Sequence, residues 1–282
     1  TKSECYTVPP RSLSLPGVPS NPTIQSPKSQ GRLANHFYSM NLFGDNSDSE
    51  VEPFGADLVE LAPILKPRIT ETTFNGLLSS PIKLHEDLAK GCGGQIWPAG
   101  EALAKYLLRR YGGDSNGLRG KRITELGAGS GLVGLAVAAG CDISGSELYI
   151  TDTEAMMEMM TRNVALNGLD DKIKVQLLDW SEPIPEPISR KPMDFILAAD
   201  CVYFEPAFPL LEKTLIDLIG EETVVFFCFK RRRRADLTFM KSIKKKINVR
   251  EACNDPEYAK DDTDHATYSR ENLYLYFPTT ES

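Results

Sequence analysis

The sequence predicts an α/β fold: a mostly parallel sheet with helices packed on both faces. Three observations lead there. From Trp97 onward, short apolar runs alternate with longer segments of helical periodicity. The runs are apolar at nearly every position instead of every second one, as strands covered on both faces are. And a glycine-rich loop, ELGAGSGLVG at residues 125–134, joins one such run to a helix of small apolar residues. Parallel neighbours need crossover connections, so alternating strands and helices specify a sheet of this kind.

Taken in order, residues 1–55 hold 7 of the 19 prolines, many serines and the acidic patch DNSDSEVE. With few apolar groups to offset the entropy of ordering, this segment is expected to be a disordered tail, and residues 56–282 the folded domain. RITETTFNGLL followed by SSPIKLHEDL predicts a hairpin turning at Asn75-Gly76. PAGEALAKYLLRRYGG predicts a helix, with proline at its start and glycines at its end. KRITELG is a strand entering the glycine loop, and SGLVGLAVAAG a helix small enough to lie close on a sheet. ELYITD is a strand ending in an acid; TEAMMEMMTRNVALNG is a helix whose methionines read as core packing. KIKVQLLDW, MDFILAADCVY and TVVFFCFK are further strands, separated by the helix AFPLLEKTLIDLIG and followed by the helix ADLTFMKSIKKK. NLYLYF supplies a last strand.

With 282 residues, 41% of them hydrophobic, the chain can bury a sizeable core. A net charge of -7 and a pI near 5.2 argue against a protein drawn to nucleic acid or acidic membranes by its overall field. Six scattered cysteines form no C-x-x-C pair and have three histidines for company, so neither a disulfide framework nor a metal site is expected. No apolar run approaches the roughly 20 residues of a membrane span, and the leading residues carry no apolar signal-peptide core. The expected location is the cytoplasm, and the expected state a monomer.

The glycine loop parses in two ways. From Gly129 it is a literal G-x-G-x-x-G, the pattern that cradles a dinucleotide pyrophosphate; from Gly127 it is G-A-G-S-G preceded by Glu125, the pattern of an S-adenosylmethionine loop. Either reading places Asp152, at the tip of the next strand, on ribose hydroxyls, so the glycines and Asp152 mark a nucleoside site without naming it. Three features favour the sulfonium cofactor. Glu125 can meet the cationic amino-acid end of S-adenosylmethionine, where a pyrophosphate is repelled. Asp179 and Trp180 end the following strand with an acceptor for the adenine amino group and an indole for stacking. ADCVY then sets Ala199, Asp200 and Tyr203 at the carboxyl edge of the sheet, where open α/β sheets bind ligands.

QIWPAG, ELGAGSGLVGL, ITD, LDW and ADCVY, in this order, resemble the seven-β-strand protein-lysine methyltransferases with a D-x-x-Y motif, family 16. Among these the sequence is most similar to the fungal enzymes that methylate translation elongation factor 1-alpha. The resemblance covers roughly residues 70–280 and implies a Rossmann-like sheet of seven strands. It implies that Trp97 closes over the methionine part of the cofactor, that Gly127, Ala128 and Gly129 form the loop beneath it, and that Asp152 takes the ribose. By the same match Trp180 stacks on adenine, the Ala199 backbone lies against the cofactor, and Asp200 and Tyr203 line the channel for the incoming lysine. Asp200 is then expected to hold the substrate amine, with Tyr203 and Trp97 receiving the methylammonium product by cation–π contact.

The run KRRRR at 230–234 departs from the sparser basic motif of that family. Following an apolar strand, it is expected on the site side of the sheet, facing an acidic protein partner; nuclear import or RNA binding is the competing reading. Cys201 lies beside the site but has no basic neighbour in sequence to make it a nucleophile. Two other functions remain open: the same fold acting on RNA or a small amine, and a non-catalytic scaffold. An RNA enzyme is expected to carry an Asn/Asp-Pro-Pro-Tyr motif or an added basic domain, where this chain has ADCVY and net negative charge.

Overall fold

In the computed structural model the described residues are 67–87, 92–113 and 115–246, with the backbone of 249–251 and 273–278. The expected tail, residues 1–55, lies outside them. Strands β1 (Arg68–Thr72) and β2 (Ile82–Glu86) pair antiparallel as a separate two-stranded sheet. The expected hairpin is therefore present, but its connection is not a two-residue turn at Asn75-Gly76. Phe74, Asn75 and Gly76 all take left-handed backbone in a longer link, and that link drives Phe74 and Leu78 into the core, 1% and 5% exposed. Left-handed backbone at a phenylalanine costs roughly 1–2 kcal/mol, which burial of the ring offsets.

Helix α1 (Pro98–Tyr111) follows, with Pro98 in its first turn. Then come β3 (Arg122–Leu126), α2 (Leu132–Gly140), β4 (Glu147–Asp152), α3 (Glu154–Leu166), β5 (Ile173–Leu177) and a short α4 (Glu186–Ser189). The chain continues through β6 (Phe195–Ala199), α5 (Phe208–Leu218), β7 (Val224–Lys230) and α6 (Arg234–Ile243), to β8 (Val249–Glu251) and β9 (Leu273–Pro278). The main sheet has seven strands in the order β5-β4-β3-β6-β7-β9-β8. The first five are parallel; β9 is antiparallel to β7 and β8 to β9. The sequence had six of these strands; β8 is too short to announce itself. Among the described residues no helix is long and apolar enough to cross a membrane.

The continuous apolarity of the strands resolves into two cores. Ile123, Leu148, Ile150, Phe195, Leu197 and Phe226 point to the face covered by α1, α2 and α3. Their neighbours Leu126, Tyr149, Ile196, Ala198, Val225 and Phe227 point to the face covered by α5 and α6. Successive side chains leave a strand on opposite sides, so covering both sides requires every position to be apolar.

Two asparagines one turn apart, Asn163 in α3 and Asn167 at its C-cap, attach the hairpin to this body. Asn163, fully buried, accepts the His85 N–H at 2.7 Å and donates to the His85 and Ser130 carbonyls. Asn167 accepts the Lys83 N–H at 2.8 Å and donates to the Lys83 carbonyl at 2.7 Å. Together they occupy the free backbone edge of β2, as a further strand would. Glu86, buried, accepts from Thr70 Oγ1 and from the Ile96 N–H, and the Asp87 N–H donates to Gly94 O, so the hairpin also holds the segment leading to Trp97. At the opposite, amino edge of the sheet, Glu147 gathers Arg190, Arg122 (2.9 Å) and Lys174 (3.4 Å).

Asn163→Ala should cost about 3 kcal/mol in denaturant unfolding, because two backbone groups of His85 and one of Ser130 lose their partner; a loss below 0.5 kcal/mol would show that water takes its place. Hydrogen bonds from Arg190 and then Arg122 lower the Glu147 carboxyl from 4.5 to about 2. The stability this cluster supplies is present above the unfolded value and is lost as pH falls toward 2. Glu147→Gln should therefore flatten the unfolding profile between about pH 4.5 and 2.

Candidate functional site

The chain order reverses between β3 and β6, so the crevice at their carboxyl ends is the topological switch point of the sheet. β3 runs into the glycine loop here, which reaches α2 by way of Gly127, Gly129 and Gly131, all with positive φ. The space is as restrictive as the backbone. A Cβ at Gly127 would stand 3.1 Å from Cys201 Sγ and 3.2 Å from the Trp180 ring; at Gly129 it would stand 2.9 Å from the Gly93 carbonyl oxygen. Gly134, in the first turn of α2, sits against Ile150 and the Glu125 carboxylate with no room for a side chain. Ala128 donates its N–H to Thr151 O, tying the loop to β4.

Three carboxylates form the floor. Asp152, ending β4, accepts the Gly129 N–H at 2.8 Å on one oxygen and the Thr153 N–H at 2.7 Å on the other. Burial raises its pKa, and Asp179 adds to the rise. Glu125 was expected to touch a cationic ligand directly. Instead it is 2% exposed and turned under α2, where it accepts the Gly134 N–H at 2.7 Å. Burial pushes it up to about 8, so at neutral pH it is largely protonated until a cation approaches. Asp179 closes a local turn, accepting from Ser181 N–H and Oγ with one oxygen. Trp180 beside it is half-buried against the core under α5 and α6. Cys201 donates to Leu126 O at 3.1 Å, and burial followed by the carboxylates around it drives its thiol well above the ordinary range, which leaves it inert.

On the far side of the crevice, β6 ends at Ala199 and the chain enters Asp200 with a φ of 53°, an unusual conformation that aspartate tolerates better than most residues. Its carboxylate, 6% exposed, was expected to await a substrate amine; it is already engaged. The Lys230 N–H donates to Oδ1 at 3.0 Å, and the Arg232 guanidinium donates to Oδ1 at 3.0 Å and to Oδ2 at 3.2 Å. The same guanidinium lies over the Trp97 ring, 5.1 Å from its centroid. Arg233 donates to Tyr203 O at 2.6 Å and pairs with Asp236. Asp236 is fully buried and accepts the Arg232 and Arg233 N–H groups, which fixes this stretch at the start of α6. Tyr203 is 52% exposed at the rim.

All eleven residues singled out from the sequence thus lie along one edge. The sequence set the run at 230–234 on this side of the sheet but as a face for an acidic partner, so it missed that Arg232 pairs with Asp200 and Arg233 with the Tyr203 carbonyl, and it missed Gly93. Gly93 carries no signal by itself, because it matters through a contact with Gly129 far along the chain.

The crevice suits S-adenosylmethionine. Its floor is lined by carboxyl groups, which match a cation and oppose a pyrophosphate, and the glycine loop lets a ligand approach the backbone where any side chain would collide. A cationic ligand near Glu125 favours the ionised carboxylate, so binding at pH 7 should release a proton, seen as a buffer-dependent enthalpy in calorimetry. S-adenosylhomocysteine, lacking the sulfonium, should release less, and Glu125→Gln none; equal enthalpies in all buffers would contradict this. Gly129→Ala, which combines positive φ with the Gly93 carbonyl contact, should weaken cofactor binding at least tenfold in the same titration.

Comparison with known proteins agrees with this geometry. The profile of a family described as lysine methyltransferase matches residues 77–246. The Saccharomyces cerevisiae protein-lysine N-methyltransferase EFM6 is 37% identical over 201 residues, covering 64% of this chain and 82% of that protein. The Danio rerio protein N-lysine methyltransferase METTL21A is 33% identical over 185 residues, covering 64% and 81%. The Mus musculus EEF1A lysine methyltransferase 3 is 33% identical over 143 residues, covering 50% and 57%. Among solved structures, Aeropyrum pernix fibrillarin in complex with S-adenosyl-L-methionine is a distant likeness, 13% identical with a TM-score of 0.42 over 78% of this chain and 86% of that one. With the family profile spanning more than half of its length, and a carboxyl-floored, glycine-walled crevice at the switch point of its sheet, the chain belongs to the lysine methyltransferase family.

Proposed function

We propose that this S-adenosylmethionine-dependent lysine methyltransferase acts on translation elongation factor 1-alpha in the cytoplasm, as a monomer whose catalytic unit spans residues 56–282. The likeness to the murine EEF1A lysine methyltransferase 3 and the resemblance of the D-x-x-Y blocks to the fungal enzymes support the acceptor. The observation that carries the reading is the pairing of a carboxylate, Asp200, with an aromatic face, Trp97, around one cation beside the glycine loop. Such a pair recognises an ammonium group.

A lysine amine must be neutral to act as a nucleophile, and neutralising it at pH 7 costs about 4.6 kcal/mol from its reference pKa. The bound cofactor supplies an electrophilic methyl group and a positive sulfonium that disfavours a second cation nearby. The residues of this chain do the rest. Asp200, held by the Lys230 N–H, orients the amine; Trp97 and Tyr203 shield it from water, which lowers its proton affinity, and accept the methylated cation. Asp152, which braces the loop through Gly129, would hold the ribose, Trp180 and Asp179 would take the adenine, and the Ala199 backbone would wall the cleft. Glu125 gives up its proton as the cationic cofactor arrives. Catalysis by this arrangement is positioning for in-line displacement.

Incubating the purified protein and tritiated S-adenosylmethionine with lysate from cells lacking it should label one ribonuclease-resistant band with the mass of the elongation factor. Label in RNA or in small molecules would refute the acceptor. Asp200→Asn keeps a side chain that tolerates positive φ while removing the charge; it should lower transfer at least a hundredfold and leave cofactor affinity within about threefold. Transfer at the wild-type rate would remove Asp200 from the mechanism.

A further inference from the structure

The cation between Asp200 and Trp97 is the chain's own. Arg232 meets the carboxylate through two nitrogens and the indole through its planar face, so it satisfies both halves of the ammonium site at once. Its side chain is 30% exposed against 4% for Asp200, so the guanidinium covers the carboxylate from the solvent side. Its backbone is fixed separately, by Asp236 accepting the N–H groups of residues 232 and 233. The side chain can therefore rotate outward without disturbing α6, and Lys230 keeps its own hydrogen bond to Asp200 when it does. Residues 231–234 are all exposed, so it is the ion pair and the ring contact that set Arg232 apart from Arg231 and Arg234.

We propose that Arg232 is a specificity-determining residue that occupies the substrate lysine's place, and that an acceptor must displace it from Asp200 and Trp97 to be methylated. This rests on the reading of the crevice as a lysine-methylating site. An arginine is suited to the task because it fills the site while resisting the reaction: its charge is delocalised, it stays protonated at all physiological pH, and it offers no nucleophilic lone pair. A free lysine or an unstructured chain, bringing one cation and little other contact, competes poorly with a tethered guanidinium. A folded protein that also makes contacts at the rim has the additional binding energy needed to displace it.

Arg232→Lys then puts an amine where the guanidinium stood. Given S-adenosylmethionine, the variant should methylate itself: the sulfonium carbon–sulfur bond breaks, a nitrogen–carbon bond forms at position 232, one proton leaves to solvent, and S-adenosylhomocysteine is released. Peptide mass spectrometry should find methyl groups at position 232, and none at positions 231 or 234 in Arg231→Lys and Arg234→Lys, whose exposed side chains lie outside the site. A second readout needs no cofactor. In calorimetry with purified elongation factor 1-alpha, Arg232→Ala should bind at least threefold more tightly than wild type, and in turnover its KM should fall by a similar factor. An unmodified position 232, equal modification at all three positions, or weaker binding by Arg232→Ala would each overturn the proposal and assign Arg232 to bracing Asp200. Wild-type enzyme that labels no protein in lysate would instead overturn the function on which the proposal rests.

Discussion

At Gly129 two backbone segments come so close that a Cβ would stand 2.9 Å from the Gly93 carbonyl oxygen, and the φ of 55° there is one that side-chain-bearing residues seldom adopt. The rest of the crevice depends on this contact. The tight turn aims the Gly129 N–H at Asp152, places the first turn of α2 over Glu125, and leaves the loop low enough for Trp180 and Cys201 to close around Gly127. A bulkier chain at any of these points would lift the loop, and Asp152 and Glu125 would lose the Gly129 and Gly134 N–H donors that make their burial tolerable.

Charge organises the same region. Burial raises Glu125 and Asp152, and the Cys201 thiol rises with them, so the floor of the empty crevice resists ionisation and a cation arriving there favours the charged carboxylates. Around the crevice the donors come from one short stretch of chain at the end of β7 and just beyond it: the Lys230 N–H and the Arg232 guanidinium on Asp200, and Arg233 on the Tyr203 carbonyl. A run that looks like a surface signal is in large part folded back onto the D-x-x-Y segment, with Asp236 holding its backbone in place. Site and basic run form one electrostatic unit.

The hairpin completes the arrangement from the other direction. Asn163 and Asn167 clamp β2 to α3, Glu86 accepts the Ile96 N–H, and Asp87 meets Gly94, so the order of a peripheral two-stranded sheet passes along the chain to the position of Trp97. The Asn163 bond to Ser130 O joins this path to the glycine loop itself. A destabilised hairpin would be felt at the crevice for that reason, although none of its residues reaches it.

Patterns confined to neighbouring residues were legible in the sequence. Continuous apolar runs gave six of the seven strands, proline and glycine bounded α1, and the spacing of Glu125, Gly127, Gly129 and Asp152 marked a nucleoside site, because the helix and strand periods and the glycine turn are local constraints. The family blocks brought Trp97, Trp180, Asp200 and Tyr203 to the same edge. What the sequence could not contain is the partner of each group. That Asn75-Gly76 belongs to a longer link burying Phe74, that Glu125 faces Gly134, that Asn163 and Asn167 bond a strand some 80 residues before them, and that Asp200 holds Arg232 were decided by packing between distant segments. Hydrogen bonds and ion pairs are short-ranged in space and indifferent to separation along the chain, so only the folded sheet, by bringing its strand ends to one edge, chose which acid would meet which base.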